Sequence, residues 1–176
     1  MRRAAFLCVL AIVAGCGYST TRLLPTSYRS IYIEPFRNEI QFTREPDERI
    51  GLQTTLPELE ETVTRELINQ FLIDGNLRVT TKREEADLLL EGALVDFFRQ
   101  PLKRLPDNTI EEFRLNLVAS LNLRGRSGKL IFSEPNFVGD TTYLASGVSA
   151  VNESAAVPKL VTDFSRRVVE RVIEDW

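Results

Sequence analysis

The chain contains no histidine, and only two of its 176 residues are cysteine. The missing imidazole rules out a Ser–His or Cys–His nucleophile pair. A zinc or iron site would have to be built from carboxylates alone, which suit harder ions. Neither charge sign dominates, since 22 basic residues face 25 acidic ones. That balance argues against nucleic acid as the main partner. No Gly-rich phosphate loop is present, and no acidic cluster goes beyond ordinary helix-surface pairs. Catalysis by paired Asp and Glu is chemically open, but no such pair stands out. The composition points to a protein that is not an enzyme.

What the chain does have begins at its N-terminus. Arg2-Arg3 precedes an apolar run from Ala4 to Ala14 that closes on the four residues Val13-Ala14-Gly15-Cys16. A charged start, a short apolar segment and small residues before a cut form a secretory signal. A bilayer span needs about 20 apolar residues, and Ser19-Thr20-Thr21-Arg22 arrives too soon for that. Ending the signal at cysteine resembles the lipobox of bacterial lipoproteins. That resemblance implies cleavage after residue 15 and N-acyl and S-diacylglycerol chains on Cys16; no other cofactor is expected. Cleavage removes 15 residues, including Arg2, Arg3 and Cys8, and leaves 161. The net charge then moves from −3 to −5. With Cys16 acylated, no disulfide can form within one chain.

Residues 16–29 read as a polar, lipidated tether. Extended at roughly 3.5 Å per residue, it reaches about 45 Å at most. Residues 30–176 read as one domain. In Ser30–Phe36, Ile31 and Ile33 alternate with Tyr32 and Glu34 in a strand that Pro35 ends or places at an edge. Leu56 to Asp74 carries Leu56, Leu59, Val63, Leu67 and Phe71 at helical spacing. Thr55 and Glu58 have capping-box spacing, Pro57 lies in the first turn, and Gly75 is expected to stop the helix in the left-handed conformation.

Leu77–Thr80 is a short strand. Ala86 to Arg99 is apolar on both faces and therefore central, with Leu88, Leu90 and Leu94 on one side and Leu89, Ala93, Val95 and Phe97 on the other. Glu112 to Arg124 alternates most clearly, Phe113, Leu115, Leu117, Ala119, Leu121 and Leu123 sharing one face. After the Gly125–Gly128 turn, Lys129 to Phe132 returns as a strand that resumes near Phe137 and Tyr143. Asp140 to Asn152 reads as a small-residue loop. A second helix carries Val157, Leu160, Val161, Phe164, Val168 and Val172 toward Trp176, with Pro158 in its first turn. The expected fold is α+β: a mixed, mostly antiparallel four- to five-stranded sheet with two helices packed on one face.

Cys16-Gly17-Tyr18, Ile31–Asn38, Glu85–Gly92 and the final helix ending Glu174-Asp175-Trp176 together resemble the LptE family of outer-membrane lipopolysaccharide-assembly lipoproteins. The resemblance implies a non-enzymatic plug inside a large outer-membrane β-barrel, the LptD translocon. It implies help in assembling that barrel and in passing lipopolysaccharide to the outer leaflet. Gly17 in place of Asp after the acylated cysteine fits outer-membrane sorting, on the periplasmic face.

A phosphorylated lipid head calls for Arg and Lys. Two groups qualify: Arg99, Lys103 and Arg104 around the Arg99–Asn108 connection, and Arg124, Arg126 and Lys129 around the next turn. They cap opposite ends of one strand, so they cannot form a single patch. Solvated hairpin charge is the ordinary explanation of each. The main rival function is an envelope lipoprotein that activates a cell-wall synthase or scaffolds a secretion channel. A synthase activator needs a long leader to cross the periplasm, and the short tether speaks against it. A carboxylate hydrolase is the third reading, and it lacks a positioned base.

Overall fold

Strict apolar alternation from Phe113 to Leu123 organises the molecule. In the computed structural model, which describes residues 28–40, 50–51 and 58–174, it produces strand β6 (Ile110–Gly125). β6 pairs antiparallel with β5 (Leu88–Arg104) on one side and β7 (Leu130–Leu144) on the other. On the far side of β5, the chain lays down β1 (Ser30–Ile33) and β2 (Arg37–Asn38) parallel to it and β3 (Ile50–Gly51) antiparallel. β4 (Arg78–Val79) adds to β1 in parallel, and the main path runs β4-β1-β5-β6-β7. The five-strand path fits the expected count; the two-residue β2 and β3 raise the described sheet to seven strands. Pro35 falls between β1 and β2, where the ladder is interrupted.

Helix α1 (Leu59–Asp74) packs Leu59, Val63, Leu67 and Phe71 into the core, and α2 (Glu153–Glu174) packs Leu160, Phe164, Val168 and Val172. Both helices join the odd-numbered side chains of β6 in one continuous apolar cluster. The helices also touch each other, Thr162 Oγ1 donating to Glu66 Oε1 at 3.2 Å. Two glycines let the layers close. A Cβ on Gly92 would lie 2.2 Å from the Phe36 ring, and one on Gly139 would lie 2.6 Å from Phe164 Cβ.

Several boundaries differ from expectation for physical reasons. α1 begins at Leu59, not Leu56; Glu58 stands as its N-cap with φ 65° and makes no side-chain cap bond. Thr55 and Pro57 lie outside the described residues, as do the signal segment, residues 16–27 of the tether and Trp176. Gly75 ends α1 at φ 73°, its N–H donating to Phe71 O, as expected. A bulge at Val95 shifts the β5–β6 register between Leu94 and Asp96. Phe97 therefore faces the helices together with Leu94, instead of lying opposite to it. β5 runs on to Arg104, shortening the Arg99–Asn108 connection to five residues. β7 is continuous through a second irregularity at Pro135-Asn136 and extends to Leu144, so the small-residue loop starts later than Asp140. Asn152 caps α2 by accepting the Ala155 N–H at 3.0 Å, and Pro158 sits one turn further in than expected.

Candidate functional site

The two expected cation groups lie at opposite ends of β6, about 50 Å apart for 16 residues of extended chain. Lys103 and Arg104 flank the β5–β6 tip, where Arg104 pairs with Ile110 across the ladder. The other group surrounds the β6–β7 turn, at the end where β1, β4 and β5 begin. Neither group is intact as a free charge cluster.

Arg99 is drawn into the body. Its Nη1 meets Glu153 Oε2 at 3.0 Å, and its guanidinium lies 4.8 Å from the Phe113 ring centroid. Tyr143 Oη donates to the same Glu153 oxygen at 3.2 Å, and the Tyr143 and Phe113 rings stack at 5.7 Å. Burial is the main influence raising the Tyr143 pKa. This cluster pins the first residue of α2 to the sheet. Lys103 pairs with Glu111 at 2.7 Å, and hydrogen bonding to that carboxylate raises its ammonium pKa. Arg104 is exposed and has no ion-pair partner among the described residues. Exposed Leu102 and Leu105 stand beside it, and Val148 and Val151 project from the loop at the same end.

At the other end, Arg124 is bound to Glu91 at 3.2 Å and reaches Gly128 O. Arg126 spans Asp87 Oδ1 and the carbonyls of Glu85 and Ala86. Lys129 alone of this group is exposed without a described partner. Arg99, Arg124 and Arg126 are thus structural, and Arg104 and Lys129 keep their charge available.

The residue that sequence reasoning missed is Asp87. Its Oδ2 accepts from Arg29 N at 3.0 Å, Ser30 N at 3.1 Å and Ser30 Oγ at 2.9 Å, while Arg126 N donates to its carbonyl at 2.8 Å. One carboxylate closes the starts of β1 and β5 and the end of β6. Burial raises its pKa, but the hydrogen bonds from Arg29 and Ser30 and the Arg126 charge together bring it below the usual 3.8. A depressed carboxylate stabilises the fold above its unfolded-state pKa, and that contribution is lost as pH falls through the folded value. Asp87→Ala should cost about 1–3 kcal/mol at neutral pH by leaving donors unpaired. In urea titrations the gap between wild type and variant should shrink below about pH 4. A gap that does not change with pH would show that the Asp87 charge is not what holds this end.

Two of the motifs read from the sequence meet physically here. Ser30 at the start of the first strand is held by Asp87 of Glu85–Gly92, and Phe36 fills the space that Gly92 leaves open. Phe36 N also donates to Thr64 Oγ1 of α1 at 2.9 Å. These residues are a packing signature. Among the described residues there is no group of three or more Asp, Glu, Cys or His placed to hold a metal ion, and no helix long and apolar enough to cross a membrane.

Comparison with known proteins places this architecture. Protein XCC0632 from Xanthomonas campestris is similar with TM-score 0.56 at 8% identity, over 85% of this chain and 88% of that one. The hypothetical protein CT253 from Chlamydia trachomatis gives 0.51 at 9%, over 83% and 96%. The uncharacterized lipoprotein B from Nitrosomonas europaea gives 0.50 at 15%, over 86% and 82%. At such identities these likenesses concern the fold alone. No curated protein matches the chain. The sequence profile of LptE, a lipopolysaccharide-assembly family, matches residues 28–172, from just before β1 into the last turns of α2. That span holds the interlocked motifs, both helices and nearly every core residue, and the chain belongs to the LptE lipopolysaccharide-assembly family.

Proposed function

We propose that this protein is an outer-membrane lipoprotein that sits within the β-barrel through which lipopolysaccharide reaches the outer leaflet, and helps that barrel assemble. The observation that carries the reading is the family match across residues 28–172. In this reading Cys16 bears the N-acyl and S-diacylglycerol chains, and two or three chains at about 0.8 kcal/mol per buried methylene make a stable anchor. The role is one of contact and not of catalysis. A polar outer surface studded with Arg–carboxylate pairs suits a hydrated barrel lumen.

Of the two turns, the β5–β6 tip is the better candidate for lipopolysaccharide. Its exposed Leu102 and Leu105 flank Lys103 and Arg104, and exposed Val148 and Val151 stand at the same end. Apolar side chains next to cations match a ligand whose phosphates adjoin its acyl chains.

The test is purification from detergent-solubilised envelopes, with and without Cys16→Ser. The wild-type protein should incorporate labelled fatty acid and bring down a large β-barrel together with lipopolysaccharide. Cys16→Ser should abolish the label, leave the leader uncleaved and lower barrel recovery about tenfold or more, as expected when an anchoring interaction is lost. Recovery of a cell-wall synthase or a secretion channel in place of the barrel would favour the rival reading.

A further inference from the structure

We infer that the outer edge of β7 is a strand-pairing surface fitted to a second copy of this chain, and that Arg167 holds it closed. This goes beyond the barrel reading and does not depend on it.

The main path of the sheet ends at β7, and no strand lies on its outer side among the described residues. Which of its backbone groups face outward follows from the ladder. Ala145 N donates to Glu111 O at 2.9 Å, in register with the unbroken pairing from Glu112↔Leu144 to Ala119↔Phe137. Bonded and non-bonded pairs alternate in an antiparallel ladder. Gly139, Thr141 and Tyr143 therefore bond to β6, and Val138, Asp140 and Thr142 turn their N–H and C=O groups outward.

Such an edge invites another strand unless proline, lysine, a bulge or shortness blunts it. Elsewhere the sheet is blunted in these ways. β4 is two residues long, the tip of β5 carries Pro101, Lys103 and Arg104, and the first half of β7 is interrupted at Pro135-Asn136. Phe137 to Thr142 has none of these devices, and Val138 is 42% exposed within it. Its one charge is Asp140.

The guard sits on that carboxylate. Gly139 faces Phe164 of α2, so the Asp140 side chain lies on the opposite face of the sheet, 3.6 Å from Arg114 Nε. Arg167 belongs to α2, yet its Nη2 reaches Asp140 Oδ1 at 3.0 Å while its Nε holds Asp163 Oδ2 at 2.7 Å. The continuous β6–β7 ladder leaves no passage through the sheet here. The guanidinium therefore crosses outside β7, over the outward groups of Asp140. A partly exposed pair of this kind adds little stability; its effect is to occupy the edge.

A second copy is the partner this edge fits. Two β7 strands related by a two-fold axis at Asp140 run antiparallel and set Val138 opposite Thr142, each outward N–H facing a carbonyl. At helical spacing along the flank of α2 beside the edge stand Lys159, Asp163, Arg167 and Glu170, of both signs, so a second α2 alongside meets no single-signed wall. In this register the two Asp140 carboxylates oppose each other, a like-charge pair that destabilises. Asp140 thus closes the edge twice, as the anchor of the strap and by repulsion.

The experiment uses the overexpressed full-length chain in excess detergent, its protein mass read by light scattering after gel filtration. The wild type should run as single chains. So should Arg166→Ala, because Arg166 pairs with Asp163 and Glu170 and does not reach the edge. Arg167→Ala and Asp140→Asn should form pairs. Asp140→Asn should be the tighter by about tenfold or more, since it also removes the opposed charges. Amide exchange over Phe137–Leu144 should slow in both pairs. Val138→Lys, added to either variant, puts a new charge on the edge and should return it to single chains. Single chains for both variants, pairing that Val138→Lys does not reverse, or exchange unchanged on pairing would each overturn the inference, as would a wild type already paired.

Discussion

Gly139→Val should cost about 3 kcal/mol of folding stability or more, at the upper end of what overpacking a core does. In a domain of this size that corresponds to a melting temperature lower by roughly 6–12 °C. The large figure follows from what the new side chain would meet. A Cβ at Gly139 would stand 2.6 Å from Phe164 Cβ and 2.8 Å from Phe164 Cα, so the obstacle includes the backbone of α2. A flexible tip could turn aside; a helix axis has to retreat. Retreat would also pull Phe164 off its edge-on contact with Phe137, whose ring centroid lies 5.6 Å away. Gly125→Ala is the matched control, because the nearest atom a Cβ there would meet, apart from its sequence neighbours, is Tyr28 Oη at an ordinary 3.6 Å. That change should stay within about 0.5 kcal/mol. Equal melting temperatures for the two variants would mean that α2 does not rest on β7 at this point.

Leu117→Asp is expected to unfold the domain outright. Leu117 is fully buried on β6, with Phe97 of β5 and Gly139 of β7 as its cross-strand neighbours. The substitution gives up about 1.5–3 kcal/mol of apolar burial. It also places a carboxylate where no partner can reach, a penalty of several kcal/mol unless the group takes up a proton. Together these reach the order of the whole reserve of a marginally stable domain, about 5–15 kcal/mol. Thr142→Asp, exposed on the opposite face of the sheet and paired with Arg114, should be nearly neutral. Circular dichroism and gel filtration of the two variants test the register directly. A folded Leu117→Asp protein would mean that the odd-numbered residues of β6 do not face the helices.

Leu117 shows what was legible beforehand. Six apolar residues at strict two-residue spacing can satisfy one buried face and nothing else, so β6 could be read without neighbours. Strand β5 could be read as central but not in parity, because an extra residue at Val95 reverses which side chains face the helices. No property of Val95 itself announces that reversal; it arises from fitting a twisted strand to β6. The Ser133–Asn136 stretch hid the continuity of β7, since Pro135 and Asn136 together oppose the single residue Ser120 of β6. The start of α1 was misplaced because Glu58 adopts a left-handed conformation that its side chain does not favour.

The candidate site was harder to read than the fold. Arg99 and Arg124 look free in one dimension, yet their partners Glu153 and Glu91 stand 54 and 33 residues away. Charge pairing of that kind is created by the topology and leaves no local trace. Asp87 went unrecognised for the same reason, although it sits within a stretch already singled out by resemblance. Its role depends on Ser30, 57 residues earlier.

That separation bears on the order in which the protein assembles. The β5–β6–β7 meander joins neighbours through short turns, and such local pairings form quickly. Inserting β1 between β4 and β5 instead requires closing a ring of more than fifty residues, with the entropy that such closure costs. On this argument the C-terminal meander is expected to serve as the template and the N-terminal strand to dock last. If the chain is exported N-terminus first, as the proposed function has it, the two emerge in the opposite order, and the segment that leaves first would wait, solvated, for the segment that leaves last.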